Sequence, residues 1–152
     1  MPAASGVVIV AGPPCSGKTT YVRRHAAPND PVLDWDDIWT EIHGPGPRPT
    51  PGPWDPLRQA VEMEFRRRFD QVDRGWVIRC APSNRHRALM RRVKGARSIV
   101  LAIPIDECVR RLMLDDSRPG KRGWVEAIEL WWMHFKPSSS DQETLVQNWI
   151  LG

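Results

Sequence analysis

Residues 7–22 read VVIVAGPPCSGKTTYV. The run Val7–Ala11 is short, continuous and mostly β-branched, the pattern of a strand covered on both faces. It breaks at Gly12. From there Gly12-Pro13-Pro14-Cys15-Ser16-Gly17-Lys18-Thr19 fits G-x-x-x-x-G-K-[ST] at every fixed position. The glycines let the backbone curl until successive N–H groups converge on phosphate oxygens. A helix from about residue 17 to residue 27, stopped by Pro28, would aim its positive end at the same anion. Lys18 would neutralise the β- and γ-phosphates, and the Thr19 hydroxyl would ligate Mg²⁺. The nucleotide-binding set is Gly12, Pro13, Pro14, Cys15, Ser16, Gly17, Lys18, Thr19 and Thr20, with Thr19 as metal ligand. Cys15 needs only to be small and takes no catalytic role.

Short apolar runs and helical stretches continue to alternate along the chain. Val32–Asp34 is a second strand, ending in carboxylates. Ile38 and Ile42, spaced i, i+4, mark a short helix up to Gly44. Residues 44–56, GPGPRPTPGPWDP, form an extended loop, because proline suits neither a helix interior nor a central strand. Asp55 and Pro56 suit the N-cap and first position of a long helix. Leu57, Val61, Phe65 and Val72 mark its inner face, and Gly75 closes it. Glu62 with Arg66, and Glu64 with Arg68, are spaced to pair. Residues 76–81 read as the third strand, 84–94 as a basic helix and 98–103 as the fourth strand. Asp106 caps a helix with Val109, Leu112 and Met113 inward. Residues 115–123, DDSRPGKRG, form a polar lid. Trp124, Ile128, Trp131, Trp132 and Phe135 share one stripe of a core helix. In the tail, residues 138–152, the SDQE of residues 140–143 is a capping-box pattern. It precedes a short helix carrying Leu145, Val146 and Trp149. This order implies an α/β fold in one domain, residues 1–152: a three-layer sandwich with a central parallel sheet of four to five strands and helices on both faces.

Composition narrows the classes. The chain has 152 residues, 41% hydrophobic and 26% charged, enough for one domain with a core. Its three cysteines are odd in number and lack metal spacing; they suit reduced thiols in a cytoplasmic protein. No apolar run is long enough to span a membrane, and no basic segment precedes residues 7–11 as in a signal peptide. The net charge is +4, unevenly spread. Residues 74–105 hold eight Arg and Lys and no acid, which leaves 14 basic against 18 acidic residues elsewhere. That asymmetry points to a surface that meets a polyanion such as nucleic acid, or to a solvated basic helix.

Three groups of residues could act on a bound phosphate. Asp34, Asp36 and Asp37 lie where the second strand ends, on the ligand side of a parallel sheet. One of them can cap the next helix; another can accept the proton of an attacking hydroxyl or hold Mg²⁺ through water. Arg85 and Arg87 open the basic helix on the same side and could grip an acceptor's phosphate through forked hydrogen bonds. Arg118, Lys121 and Arg122 lie in the lid, where an arginine can stabilise a transferring phosphoryl group.

In this order the segments resemble the P-loop kinases related to polynucleotide 5′-hydroxyl kinase. Zeta-type toxins and the shikimate and gluconate kinases are more distant relatives. GPPCSGKTTYVRR matches the phosphate loop and its helix, LDWDDIW the Asp-Asp segment, and IDECVRRLMLDDSRPGKRGW the helix, arginine lid and following helix. The resemblance implies that Lys18 and Thr19 hold the nucleotide, that Asp36 is the general base and that Arg118 is the lid arginine. Asp34, Asp37, Arg85, Arg87 and Arg122 are then the acceptor-side residues. Trp39 stands where the family often carries an arginine for the acceptor's phosphate.

The implied activity is ATP-dependent phosphorylation of a hydroxyl, on a polynucleotide 5′ end or a hydroxymethylated base. A nucleoside or small-metabolite kinase is the alternative. A motor-type ATPase fits less well, because Pro104 and Ile105 separate the fourth strand from Asp106 and Glu107. A toxin role is a further alternative.

Overall fold

The computed structural model describes residues 6–46, 56–80, 84–136 and 141–145. Val7–Ala11 forms β1, which is buried along its whole length. It pairs in parallel with β3 (Gly75–Arg79) on one side and β4 (Arg97–Leu101) on the other. Strand β2 (Val32–Asp34) joins the outer side of β3. The outer side of β4 is taken by β5 (Asp141–Leu145), so the sheet has five strands in the order β2-β3-β1-β4-β5. The chain thus leaves β1 for one edge, returns to β3 and then crosses β1 to reach β4. Such a change of direction opens a crevice beyond the C-terminal strand ends, and the loop after β1 lies there.

Among the described residues six helices cover the sheet: α1 (Lys18–His25), α2 (Trp35–His43), α3 (Pro56–Gln71), α4 (Asn84–Lys94), α5 (Ile105–Met113) and α6 (Lys121–His134). Side chains alternate across a strand, so β1 feeds two cores. Val8 and Val10 pack with Tyr21 and Val22 of α1, Cys108 and Leu112 of α5, and Trp124 and Ile128 of α6. Val7 and Ile9 pack with Ile38 of α2, Val61 and Phe65 of α3, and Met90 of α4. The three layers follow from that alternation. The tryptophan stripe of α6 is a core face, as its spacing implies: Trp124, Ile128 and Trp131 are buried. Two of its indoles tie the helix to strand ends, Trp131 Nε1 donating to Cys80 O at 2.7 Å and Trp132 Nε1 to Ile103 O at 3.0 Å.

Several expectations are corrected. The tail forms a strand, not a helix, at Asp141–Leu145: the open edge of β4 outweighs a local capping pattern. Helix α5 starts at Ile105 with Pro104 before it, so Asp106 lies inside its first turn rather than capping it. Leu112 is buried and Val109 packs against the core as expected, Cys108 joins them, and Met113 is exposed. Gly75 does not close α3 but opens β3 at φ +109°, where a side chain would collide with the Pro31 carbonyl. Finally, Leu57 is exposed, and Glu62 pairs with Arg79 of β3, 3.2 Å from Nη1 to Oε2; Glu64 and Arg68 pair as spaced, at 2.9 Å. Residues 47–55 of the proline-rich segment, residues 81–83, and Val146 and Trp149 of the tail lie outside the described residues. No helix among those described is long and apolar enough to cross a membrane.

One buried carboxylate fastens the approach to β2. The Asp30 side chain has no exposed surface. It accepts hydrogen bonds from Ala27 N at 2.9 Å, Trp76 Nε1 at 3.0 Å and Arg74 Nη1 at 3.2 Å. Replacing it leaves the Ala27 amide and the Trp76 indole without this acceptor at the sheet's N-terminal end. Asp30→Ala is expected to lower unfolding stability in urea by about 2–4 kcal/mol.

Candidate active site

The loop between β1 and α1 curls because two positions tolerate no ordinary side chain or backbone. A Cβ on Gly12 would sit 2.6 Å from Ser16 Oγ and 3.0 Å from Leu101 O. Gly17 caps α1 in the left-handed region, at φ 87°. Between them Ser16 N donates to Pro13 O at 3.2 Å, and Gly12 N is held by Cys80 O at 3.2 Å. Cys15 is left-handed as well, at φ 64°, which costs a residue with a Cβ about 1–2 kcal/mol. It packs against the apolar core under α1, α5 and α6. Its carbonyl meets Arg111 Nη1 of α5 at 3.4 Å. Arg111 also pairs with Glu107, Nε to Oε1 3.1 Å. Sequence reading passed over Arg111, since it follows Arg110 in an ordinary charged helix; only its direction toward the loop separates the two.

Lys18 folds back over this loop. Its Nζ donates to Gly12 O at 3.0 Å and Pro13 O at 2.8 Å. The ammonium thus sits on the rim of the curl, where it can exchange two neutral carbonyls for charged phosphate oxygens, the stronger partners. Thr19 Oγ1 donates to Asp34 Oδ2 at 3.2 Å. Thr20, the last of the set, is exposed.

The structure gives the three carboxylates different surroundings. Asp34 ends β2, is 6% exposed and caps α2, its Oδ1 accepting from Asp36 N at 3.0 Å. Burial raises its pKa to about 6, helped by the charges of Asp36 and Asp37; its bond from the Asp36 amide and the Lys18 charge work in the opposite direction. Asp36 is half-buried and Asp37 exposed, both in the first turn of α2. Thr19 and Asp34 together offer hard oxygen donors, the kind magnesium takes sparingly while keeping water and phosphate oxygens. The curl, Lys18 and this pair therefore fit a bound nucleoside triphosphate with its metal ion.

The cations diverge from their expected positions. Arg87 has no exposed surface; its Nη2 donates to Lys136 O at 2.6 Å, and its guanidinium lies 5.4 Å from the Phe135 ring centre. It joins α4 to the end of α6 from inside. Arg85 is exposed at the start of α4. Arg122 and Lys121 belong to the first turn of α6 rather than to the lid, which is therefore shorter than residues 115–123. Arg122 is almost fully solvated, 3.6 Å from Glu126, whereas Lys121 Nζ holds Leu112 O at 2.7 Å. Arg118, the lid arginine, is folded inward and 9% exposed. Much of the basic segment is likewise taken up by partners within the chain: Arg74 with Asp30, Arg79 with Glu62, Arg91 with Ser98 and Lys94 with Asp70 O. Arg92 and Arg97 are exposed with Arg85.

Solved structures with this architecture place it. The chain is similar to a gluconokinase from Sinorhizobium meliloti 1021, with TM-score 0.63 and 15% identity over 95% of this chain and 83% of that one. It is also similar to shikimate kinase from Bacteroides thetaiotaomicron, with TM-score 0.58 and 16% identity over 91% and 84%. A chain of the Pnkp1/Rnl/Hen1 RNA repair complex aligns with TM-score 0.58 and 15% identity over 90% of this chain and 48% of that one. No protein-family model matches the sequence, nor does any curated protein. The fold is that of the P-loop kinases.

The buried Asp34 makes stability depend on pH. Its folded pKa of about 6 lies above the ordinary 3.8. The folded state therefore holds a proton that the unfolded chain has already lost. The stability this gives is complete below about pH 4 and is lost as pH rises through about 6. Asp34→Asn keeps the helix cap without the buried charge. In metal-free buffer at pH 7.5 it is expected to be more stable than wild type by about 2–3 kcal/mol. Thermal melts should show the two converge near pH 4.

Proposed function

We propose that this protein is an ATP-dependent kinase that moves the γ-phosphate to a hydroxyl group. The observation that carries the reading is the bond between Thr19 of the phosphate loop and Asp34 at the end of β2. It brings a metal-binding hydroxyl, the Lys18 ammonium and the carboxylate-rich start of α2 to one strand edge. A switch or motor needs a water held at the γ-phosphate. Transfer needs a carboxylate that can orient an incoming hydroxyl and take its proton.

In the proposed mechanism the loop amides and Lys18 hold the β- and γ-phosphates. Thr19 and Asp34 would hold magnesium, directly or through water. The ion when bound neutralises charge on the bridging oxygens. Asp36, two residues past the buried carboxylate and nearer solvent, orients the acceptor hydroxyl and accepts its proton. Arg118 meets the charge that builds on the transferring group.

The acceptor we favour is a hydroxyl on nucleic acid, either a 5′ end or a hydroxymethylated base. Exposed Arg85, Arg92 and Arg97 support it, in a segment without acids. A small hydroxylated metabolite is the second reading. The engagement of Arg74, Arg79, Arg87, Arg91 and Lys94 by partners within the chain favours it, and so does the likeness to gluconokinase and shikimate kinase folds. A strand acceptor should bind more weakly as salt rises, whereas an uncharged polyol should not.

The test offers γ-labelled ATP with 5′-hydroxyl oligonucleotides, hydroxymethylated DNA, nucleosides, gluconate, shikimate and simple polyols. Label in an oligonucleotide carries the favoured reading; label in a small acceptor carries the second. Asp36→Asn is expected to cut transfer by about 100-fold or more while ATP still binds, and Lys18→Ala to lose both. ATP consumption that needs no acceptor and survives Asp36→Asn would overturn the kinase reading.

A further inference from the structure

Arg118 is held in an arrangement that its place in a short polar loop does not require. Its guanidinium lies over the Trp124 indole, 4.2 Å from the ring centre. Its Nε donates to Asp115 Oδ2 at 3.1 Å. The Asp115 carboxylate is itself fixed: Oδ1 accepts from Ser117 N at 2.9 Å and Ser117 Oγ at 2.6 Å. Lys121 closes the turn from below through Leu112 O and Asp115 O. One face of the guanidinium and its inner nitrogen are thus occupied. Neither terminal nitrogen of Arg118 has an acceptor among the described residues. The two nitrogens that make a fork are the two left over.

Trp124 is an unusual support. It is 7% exposed and sits in the core with Tyr21 and Val22 of α1, the cluster against which Cys15 also packs. The same core thus holds Trp124 together with the helix that follows the phosphate loop. Its Nε1 is buried without an acceptor among the described residues. A buried indole N–H without a partner costs stability, and phenylalanine would avoid that cost. What tryptophan adds here is the ring face most attractive to a cation.

We propose that Trp124 and Asp115 are positioning residues that hold Arg118 as a pre-oriented fork for the terminal phosphate of the bound nucleotide. The stack fixes the guanidinium plane, the Asp115 bond fixes its rotation in that plane, and the two terminal nitrogens are left for a ligand. A planar fork already in place loses less entropy on gripping a phosphate than one gathered from solvent. The inference deepens the proposed function. It rests on the loop holding ATP, and not on which hydroxyl receives the phosphate.

Binding alone tests it. The affinities of ATP and ADP, with magnesium, are measured by calorimetry on the full chain. Their ratio isolates the contact to the terminal phosphate. Arg118→Lys keeps the charge but not the fork and should lower the ATP preference by about tenfold. Trp124→Leu should lower it by about threefold or more, with ADP affinity and the phosphate loop intact. Trp124→Phe keeps a ring face and should recover most of the loss. Site-specific mono-, di- and trifluorotryptophan at position 124 drains the ring face at nearly constant volume, so the ratio should fall stepwise even if Trp124→Leu fails to fold. A ratio indifferent to fluorination, or Trp124→Phe as impaired as Trp124→Leu, overturns the proposal. Wild-type protein that binds neither nucleotide overturns it together with the nucleotide reading. A stepwise fall in a protein that phosphorylates no acceptor supports it and removes the kinase reading alone.

Discussion

The close approach at Gly12 is the contact on which the site depends. The chain leaves the middle strand of the sheet there and must turn at once. A side chain would strike Ser16 within the same loop and the Leu101 carbonyl of the neighbouring strand. With hydrogen alone in that space, the loop can close tightly enough for Lys18 to reach the carbonyls of Gly12 and Pro13. The left-handed Cys15 and Gly17 complete the curl. The two cores of the sheet then act as its anvil: β1 is buried throughout and β3 and β4 nearly so, and close packing resists relaxation of the turn into the strands.

From that point the site is assembled by strand order. Because β3 lies between β1 and β2, the end of β2 stands one strand away from the loop. Yet Thr19, one residue into the helix, spans the gap and meets Asp34. Asp34 therefore serves two masters. It caps α2, which fixes where Asp36 and Asp37 stand, and it faces the loop as a buried acid whose ionisation is opposed by its surroundings. A carboxylate kept in such a place is costly unless a cation arrives. A cation placed beside it would relieve that cost.

Much of this was legible in the sequence, for physical reasons that differ by element. The first strand, the loop and α1 declare themselves because glycines, lysine and threonine occupy fixed places for steric and electrostatic causes. The tryptophan stripe of α6 declares its core face by period alone. The tail misled, because a capping pattern is a local signal and the open edge of β4 is not local. Which of the three acids near residue 34 caps α2 was open on paper; burial and the approach of Thr19 single out Asp34. Arg111 was invisible because it touches Cys15 across 96 positions of sequence.

Charge composition was the least transferable signal. Eight cations without an acid between residues 74 and 105 suggested one basic surface. The fold instead uses several as internal fasteners, each matched to a carbonyl, a carboxylate, a hydroxyl or a ring: Arg79 lies over Phe65, Arg87 beside Phe135 and Lys94 over Phe69. Arginine serves this purpose because its stem and flat head bury well while its donors reach acceptors several ångströms apart. The same property unites Arg87 and Arg118, which look alike in sequence and are both buried. Arg87 gives a terminal nitrogen to Lys136 O, whereas Arg118 gives only its inner nitrogen to a neighbour. A buried arginine can be a fastener or an instrument, and its outer nitrogens decide which.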